Sequence, residues 1–280
     1  MQPFLYKSEL HEPMEFTGER MVPEGADAQT FWEHVHRYRF AARYVRGKRV
    51  LDIACGEGYG TAALLKAGAL NVIGVDVSIE ACRHAHKKYG IDARVGNAEN
   101  IPLPDGEFDV VVSFETLEHV PNPARFLDEC VRVLAPKGIL IVSTPNKDNY
   151  SYKAEGEENP YHCSEIGEDE FVALLKDHFT CWRLFTQMLS EAPMWSRRGF
   201  AMEKSPWSSV RGVGRLRRWM ISKLGYHLCG EPGIEQRRFV VEKILMKGQP
   251  LADWVNPYIL QLKPENGNDQ PRYFIALAQK

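Results

Sequence analysis

No Cys-x-x-Cys pair occurs in the chain, and its six cysteines (Cys55, Cys82, Cys130, Cys163, Cys181, Cys229) are scattered. That spacing speaks against a zinc knuckle or a disulfide framework and fits a reduced, cytoplasmic setting. No stretch approaches the ~18 unbroken apolar residues of a membrane span, and Met1 to Pro13 lacks the apolar run of a secretory signal. Charge of one sign is also scarce. A formal net charge of −2 offers no global attraction to nucleic acid or anionic lipid, so nucleic acid is not a favoured partner. Internal repeats and low-complexity segments are missing too. What is present is a chain of 280 residues, 44% hydrophobic and 26% charged, enough for one large α/β domain with additions.

Residues 1–27 carry proline, glycine and glutamate without periodicity and read as an extended lead-in. A helix follows with Phe31, Val35, Tyr38, Ala42 and Val45 on one face. From Lys48 onward strand and helix patterns alternate. Strands are expected at Arg49–Ala54, Asn71–Val75, a short segment ending near Val95, Phe108–Phe114, Ile139–Ser143, Phe179–Gln187 and Tyr273–Ala278. Helices fall between them, one capped by Ser78 with Ile79, Cys82, His86 and Tyr89 on a face, another opened by Asn122-Pro123. This rhythm predicts a Rossmann-like, seven-stranded, mostly parallel sheet with one antiparallel strand. The expected division is a lid and helix at 1–46, a core at 47–187, an inserted cap for the acceptor at 188–270 and the last strand at 271–280. The cap would include a helix at Ser208–Leu224.

The motif that carries chemistry is Val50-Leu51-Asp52-Ile53-Ala54-Cys55-Gly56-Glu57-Gly58-Tyr59-Gly60. A strand entering a glycine-rich turn suits close approach by a ligand. Dinucleotide sites use G-x-G-x-x-G, with pyrophosphate at the helix N-terminus. Here the spacing is G-x-G-x-G and an acid precedes it. An acid repels pyrophosphate but suits the ammonium and sulfonium of S-adenosylmethionine (SAM). Asp76, ending the second strand, is placed to accept both ribose hydroxyls. Asn97-Ala98-Glu99 closes the third strand, where adenine would lie, with the Asn97 amide oxygen as acceptor for the adenine amino group.

Taken together this order resembles the class I SAM-dependent methyltransferases, over about residues 47–187. The branch with G-D-A-E-x-L-P and F-D-x-V is matched by Gly96-Asn97-Ala98-Glu99-Asn100-Ile101-Pro102 and Phe108-Asp109-Val110-Val111. The resemblance implies SAM as cofactor, bound by Asp52, Ala54, Gly56, Gly58, Gly60, Asp76, Val77, Asn97, Ala98, Glu99 and Phe114. The segment Phe16-Thr17-Gly18-Glu19-Arg20-Met21-Val22-Pro23 with His36-Arg37-Tyr38 resembles methyltransferases of polysaccharide and glycosylated natural-product pathways. In that setting Arg37 pairs with the methionyl carboxylate; otherwise it is an exposed helix residue.

Beyond the fourth strand lies Phe114-Glu115-Thr116-Leu117-Glu118-His119-Val120. Carboxylates and an imidazole this close can ligate a divalent cation, or His119 can act alone as general base with Glu118 beside it. E-x-x-E-H with a later histidine after Thr144-Pro145-Asn146 resembles the metal site of small-RNA 3′-terminal 2′-O-methyltransferases. The first part also resembles ubiquinone-pathway O-methyltransferases. By that resemblance Glu115, Glu118, His119 and His162 bind Mg²⁺ or another divalent ion that holds the acceptor hydroxyl. A purely structural role for this segment is the remaining alternative.

The reading is therefore SAM-dependent O-methylation of a small-molecule or glycan hydroxyl. RNA 2′-O-methylation, catechol or quinone O-methylation and a SAM-binding regulatory role are its rivals. A homo-oligomer is left open. In the cap, Arg211, Arg215 and Arg218 form a stripe that either engages a phosphate or anionic lipid or is a solvated face. Trp195, Trp207 and Trp219 shape an acceptor pocket or pack in a core.

Overall fold

The computed structural model describes residues 21–23, 26, 28–148, 160–189, 258–262 and 272–280. The N-terminal motif up to Arg20, the Ser208–Leu224 helix, the arginine stripe and the three cap tryptophans lie outside the described residues. Helix α1 (Ala28–Ala41) leads into strand β1 (Arg49–Ile53), α2 (Tyr59–Lys66), β2 (Asn71–Asp76), α3 (Ile79–Tyr89) and β3 (Asp92–Val95). Then come β4 (Phe108–Phe114), α4 (Pro123–Val133), β5 (Leu134–Pro145), α5 (Glu168–His178), β6 (Cys181–Leu189), β7 (Tyr258–Leu262) and β8 (Tyr273–Gln279).

The sheet order is β3-β2-β1-β4-β5-β8-β6-β7. β1 to β5 pair in parallel, and β8 runs antiparallel between β5 and β6. All seven expected strands are present. The inserted segment adds an eighth at the edge, β7, antiparallel to β6. Strand β4 (FDVVVSF) is buried along nearly its whole length, as a near-continuous apolar run in a parallel sheet requires. One cluster, including Phe31, Tyr38, Val50, Leu64, Val112 and Ile275, joins the sheet to α1, α2 and α3. The other, including Leu51, Val111, Phe126, Leu127, Phe171 and Phe274, joins it to α4 and α5. The lead helix is thus part of the core rather than a separate unit.

Two caps form as the sequence indicates. The Ser78 side chain accepts from Ala81 N at 3.2 Å, and Asn122 Oδ1 accepts from Arg125 N at 3.1 Å. The face of α3 differs: Ala81, Cys82 and Ala85 are buried, while Ile79 is 48% exposed. Small residues face the core there because α3 lies close over the glycine-rich turn, where Ala85 touches the space above Gly58. Among the described residues, no helix is long and apolar enough to cross a membrane.

Helix α1 also buries polar groups its pattern does not announce. His36 Nδ1 accepts from Gln187 Nε2 at 3.4 Å, and His34 Nδ1 lies 3.1 Å from the Tyr59 hydroxyl. Burial, reinforced by Arg39, Arg37 and Arg43, pushes the His36 pKa down to about 4. Burial and Arg37 hold His34 well below its ordinary value. An unfolded histidine takes up a proton near its ordinary value of ~6.5, whereas the folded one resists it. The stability these residues contribute is therefore full above pH 6.5 and is lost as pH falls from there toward 4. Thermal melts at pH 7 and pH 5 should show His36→Gln losing less Tm than wild type, by roughly 4–8 °C. Parallel pH profiles for the two proteins would refute this.

Candidate active site

In this strand order the chain turns back at β1, so a crevice opens at the C-terminal ends of β1 and β4, where open α/β sheets bind ligands. Ala54 and Glu115, just beyond those strands, adopt left-handed φ of 56° and 54°. For residues other than glycine that conformation costs about 1–3 kcal/mol and gathers at functional sites.

On the cofactor side, Gly56 N donates to Asp76 Oδ2 at 2.8 Å and Ser78 N donates to Asp76 Oδ1 at 2.9 Å. Asp76 thereby shapes the turn at the end of β2. Val77 beside it stands 73% exposed, an apolar surface fit to face an adenine ring. Several expected ligands have their side chains committed elsewhere. Asp52 is fully buried, and its carboxylate accepts from Thr61 Oγ1 at 2.6 Å and the Tyr38 hydroxyl at 3.2 Å. Burial pushes its pKa up to about 7, so it ties β1 to α1 and α2 rather than presenting a free charge to a cation. Asn97 Oδ1 accepts from Glu99 N at 2.8 Å, and Glu99 Oε1 accepts from Asn122 N at 2.9 Å, linking the β3 turn to α4. Phe114 packs edge-on against Tyr38 in the core.

The glycines divide similarly. Gly58 has φ 92°, and a Cβ there would lie 2.5 Å from Ala85 Cβ; one on Gly60 would lie 1.9 Å from the Tyr38 ring. Both are required by packing, while Gly56 at φ 54° carries the turn after β1. Glu57, which the sequence reading passed over, is buried within this turn. It accepts from Tyr89 OH at 2.8 Å, approaches His84 Nε2 at 3.2 Å and pairs with Lys88. Burial opposes its charge, but His84 and Lys88 outweigh that and hold it below the usual carboxylate range.

Arg37 is not an exposed helix residue: it is 0% exposed. Its Nη1 donates to Gln187 Oε1 at 2.9 Å, its guanidinium lies over the Tyr273 ring at 4.6 Å, and Nη2 stands 3.8 Å from Glu115 Oε2. Burial works against its charge; Glu115, Tyr273 and Glu33 outweigh burial and keep it cationic. Nε and Nη2 have no hydrogen-bond partner among the described residues. Buried donors left unmet cost about 1–3 kcal/mol each, so this guanidinium is built to receive an acceptor.

On the reaction side, Glu118, His119 and His162 each offer a ligand atom within 4.8 Å of the others. Backbone bonds create the meeting: Cys163 N and Ser164 N donate to the Glu118 carbonyl at 2.8 and 3.1 Å. His119 Nδ1 lies 2.8 Å from the Tyr161 carbonyl. A carbonyl only accepts, so Nδ1 carries the proton and Nε2 keeps its lone pair. Nε2 stands 3.9 Å from Glu118 Oε1, and the His119 and His162 rings meet edge-on with centroids 4.9 Å apart. Glu118 Oε2 accepts from Thr144 Oγ1 at 3.2 Å; burial and then Glu115 push its pKa well up. Burial, then His119, lowers that of His162, favouring the neutral imidazole. Glu115 stands outside this cluster, accepting from Ser143 Oγ at 2.7 Å and facing Arg37.

Residues 51–142 match the family of the methyltransferase domain. A "Probable S-adenosylmethionine-dependent methyltransferase" of Mycolicibacterium smegmatis is 39% identical over 170 residues, 60% of this chain and 65% of the relative. A ubiquinone biosynthesis O-methyltransferase of Psychrobacter arcticus is 39% identical over 116 residues, 38% of this chain and 44% of the relative. A SAM-dependent methyltransferase from Archaeoglobus fulgidus shares the fold, with TM-score 0.52 and 18% identity, covering 90% of this chain and 94% of that one. Residues 51–142 are thus similar to methyltransferase domains, and the described fold is the one seen in SAM-dependent methyltransferases. The matches span less than two thirds of the length of these curated relatives.

Proposed function

We propose that the chain transfers a methyl group from SAM to a hydroxyl of a sugar or glycosylated metabolite, assisted by a divalent ion at Glu118, His119 and His162. The observation that carries the reading is the His119 tautomer. Its Nδ1 proton is anchored on the Tyr161 carbonyl, and its Nε2 lone pair is turned toward a carboxylate and a second imidazole. That is the arrangement by which a ligating histidine is oriented.

The residues present fit SAM. Asp76 sets a carboxylate at the end of β2 beside the Gly56 turn, Val77 offers an apolar face, and Arg37 has unmet buried donors suited to the methionyl carboxylate. Bound SAM supplies an electrophilic methyl on sulfur. They also fit a metal: two imidazoles and one carboxylate suit Mn²⁺, Co²⁺ or Zn²⁺ better than Mg²⁺, which prefers oxygen. When bound, such an ion supplies Lewis-acid activation of the hydroxyl. Glu118, His119 and His162 would hold the ion, with Thr144 orienting the Glu118 carboxylate at 3.2 Å. The O-methyltransferase among the relatives supports oxygen as the acceptor atom. A second reading, His119 as metal-free general base, is favoured by the same Tyr161 contact, which directs the lone pair outward.

Labelled SAM with glycosides and catechols, assayed with and without chelator, separates these readings. Chelation should abolish transfer and leave SAM binding unchanged, with Mn²⁺ or Co²⁺ restoring activity better than Mg²⁺. Full activity after exhaustive chelation, together with a silent His162→Ala, sinks the metal and leaves the base. Separately, Asp76→Ala should weaken SAM by roughly 10–100-fold, since hydrogen bonds to a charged group contribute ~1.5–3 kcal/mol. Calorimetry showing unchanged affinity would remove Asp76 from the site.

A further inference from the structure

We propose that Glu115 is a switched metal ligand, held off the Glu118–His119–His162 cluster by Arg37 until the cofactor's carboxylate takes the guanidinium. Cofactor and divalent ion then bind cooperatively. The inference rests on the metal reading above and adds an order to its assembly.

Three observations carry it. The cluster with converging ligand atoms contains Glu118, His119 and His162 but not Glu115. Glu115 is nonetheless on the same short loop, just beyond β4 and three residues before Glu118. Its carboxylate is engaged on the other side, Oε1 by Ser143 Oγ at 2.7 Å and Oε2 toward Arg37 Nη2 at 3.8 Å. The Arg37 contact is too long for a hydrogen bond, so charge alone holds it.

Arg37 meanwhile keeps Nε and Nη2 unmet among the described residues while fully buried. A carboxylate arriving there satisfies both nitrogens in the forked geometry that guanidinium favours. It also neutralises the charge that draws Glu115 and places a like charge beside it. Glu115 is then driven toward the nearby cation, adding an oxygen to the three protein ligands. Without a carboxylate at Arg37, the ion has only the three. In this scheme Arg37 is a positioning residue, acting on the metal through Glu115.

The test titrates Co²⁺ into the full chain and follows visible absorption and heat. Three states are compared: cofactor-free, with S-adenosylhomocysteine, and with 5′-methylthioadenosine, which lacks the amino-acid carboxylate. S-adenosylhomocysteine should tighten Co²⁺ about tenfold, within the usual range of site coupling, and Co²⁺ should tighten S-adenosylhomocysteine by the same factor. The absorption band should change as a ligand is added, and 5′-methylthioadenosine should do neither. Glu115→Gln, which keeps a partner for Ser143, should bind Co²⁺ with no response to S-adenosylhomocysteine. Arg37→Met, with its fold checked by circular dichroism, should bind Co²⁺ tightly from the start and gain nothing further. Equal effects of the two nucleosides, or coupling that survives in Glu115→Gln, overturn the switch. Co²⁺ binding equally in all three wild-type states removes the switch and leaves the metal site. No Co²⁺ binding in any state removes both.

Discussion

Alanine at position 119 is expected to slow methyl transfer by roughly 10²- to 10⁴-fold while leaving SAM affinity near that of wild type. The size follows from the group's position. His119 Nδ1 is bound to the Tyr161 carbonyl, which leaves Nε2 as the lone pair facing Glu118 and His162. Whether Nε2 takes the acceptor's proton or binds an ion that lowers its pKa, removing it raises the barrier to chemistry. The cofactor side should be spared, because the Gly56–Asp76–Ser78 bonds are made without it. Single-turnover rates and SAM titration on the same preparation provide the check. A kcat within threefold of wild type, with the fold intact, would strip His119 of both roles.

The second large effect is on stability. Gly60→Ala should lower Tm by roughly 6–12 °C, as expected for about 3 kcal/mol of overpacking in a domain of this size. The added Cβ would lie 1.9 Å from the Tyr38 ring, and that ring is fenced by Tyr59 and Phe114 at centroid distances of 5.5 and 5.0 Å. Tyr38 cannot retreat without giving up its contact to the buried Asp52. Tyr38→Leu in the Gly60→Ala background should therefore cost less than the sum of the two single changes. Strict additivity, or an unchanged Tm for Gly60→Ala, would show that Gly60 is not needed by packing.

Features written in local pattern were legible from the sequence. The buried run of β4, the Ser78 and Asn122 caps and the alternation of strand and helix each depend on neighbours a few residues apart. The placement of Asp76 against the Gly56 turn follows from the same topology. Features set by long-range contact were not. Arg37 sits among other polar residues of α1 (Glu33, His34, His36, Arg39), and its burial depends on Gln187 and Tyr273, which arrive from β6 and β8. Asp52 was read as a charge facing the cofactor because its partners, Tyr38 and Thr61, are fixed only by the packing of α1 and α2 on β1. Glu57 looks like a turn residue until α3 brings His84, Lys88 and Tyr89 onto it. The pairing of His162 with His119 follows in the sequence only from resemblance; the bonds that create it run mostly between peptide groups, with the Cys163 thiol on the His119 carbonyl beside them. The left-handed φ of Ala54 and Glu115 is equally silent in sequence, since neither residue type favours it.

That reliance on peptide groups sets how this site can diversify. The segment bearing His162 holds the Glu118–His119 loop by the Cys163 and Ser164 amides on the Glu118 carbonyl, by the Tyr161 carbonyl under His119, and by the Cys163 thiol on the His119 carbonyl at 3.3 Å. Every residue but proline supplies those amides. Of these positions Ser164 holds the loop by its amide alone, so a change of side chain there leaves the bond in place. Proline at 163 or 164 marks the boundary of that freedom, because it removes the amide that makes the bond.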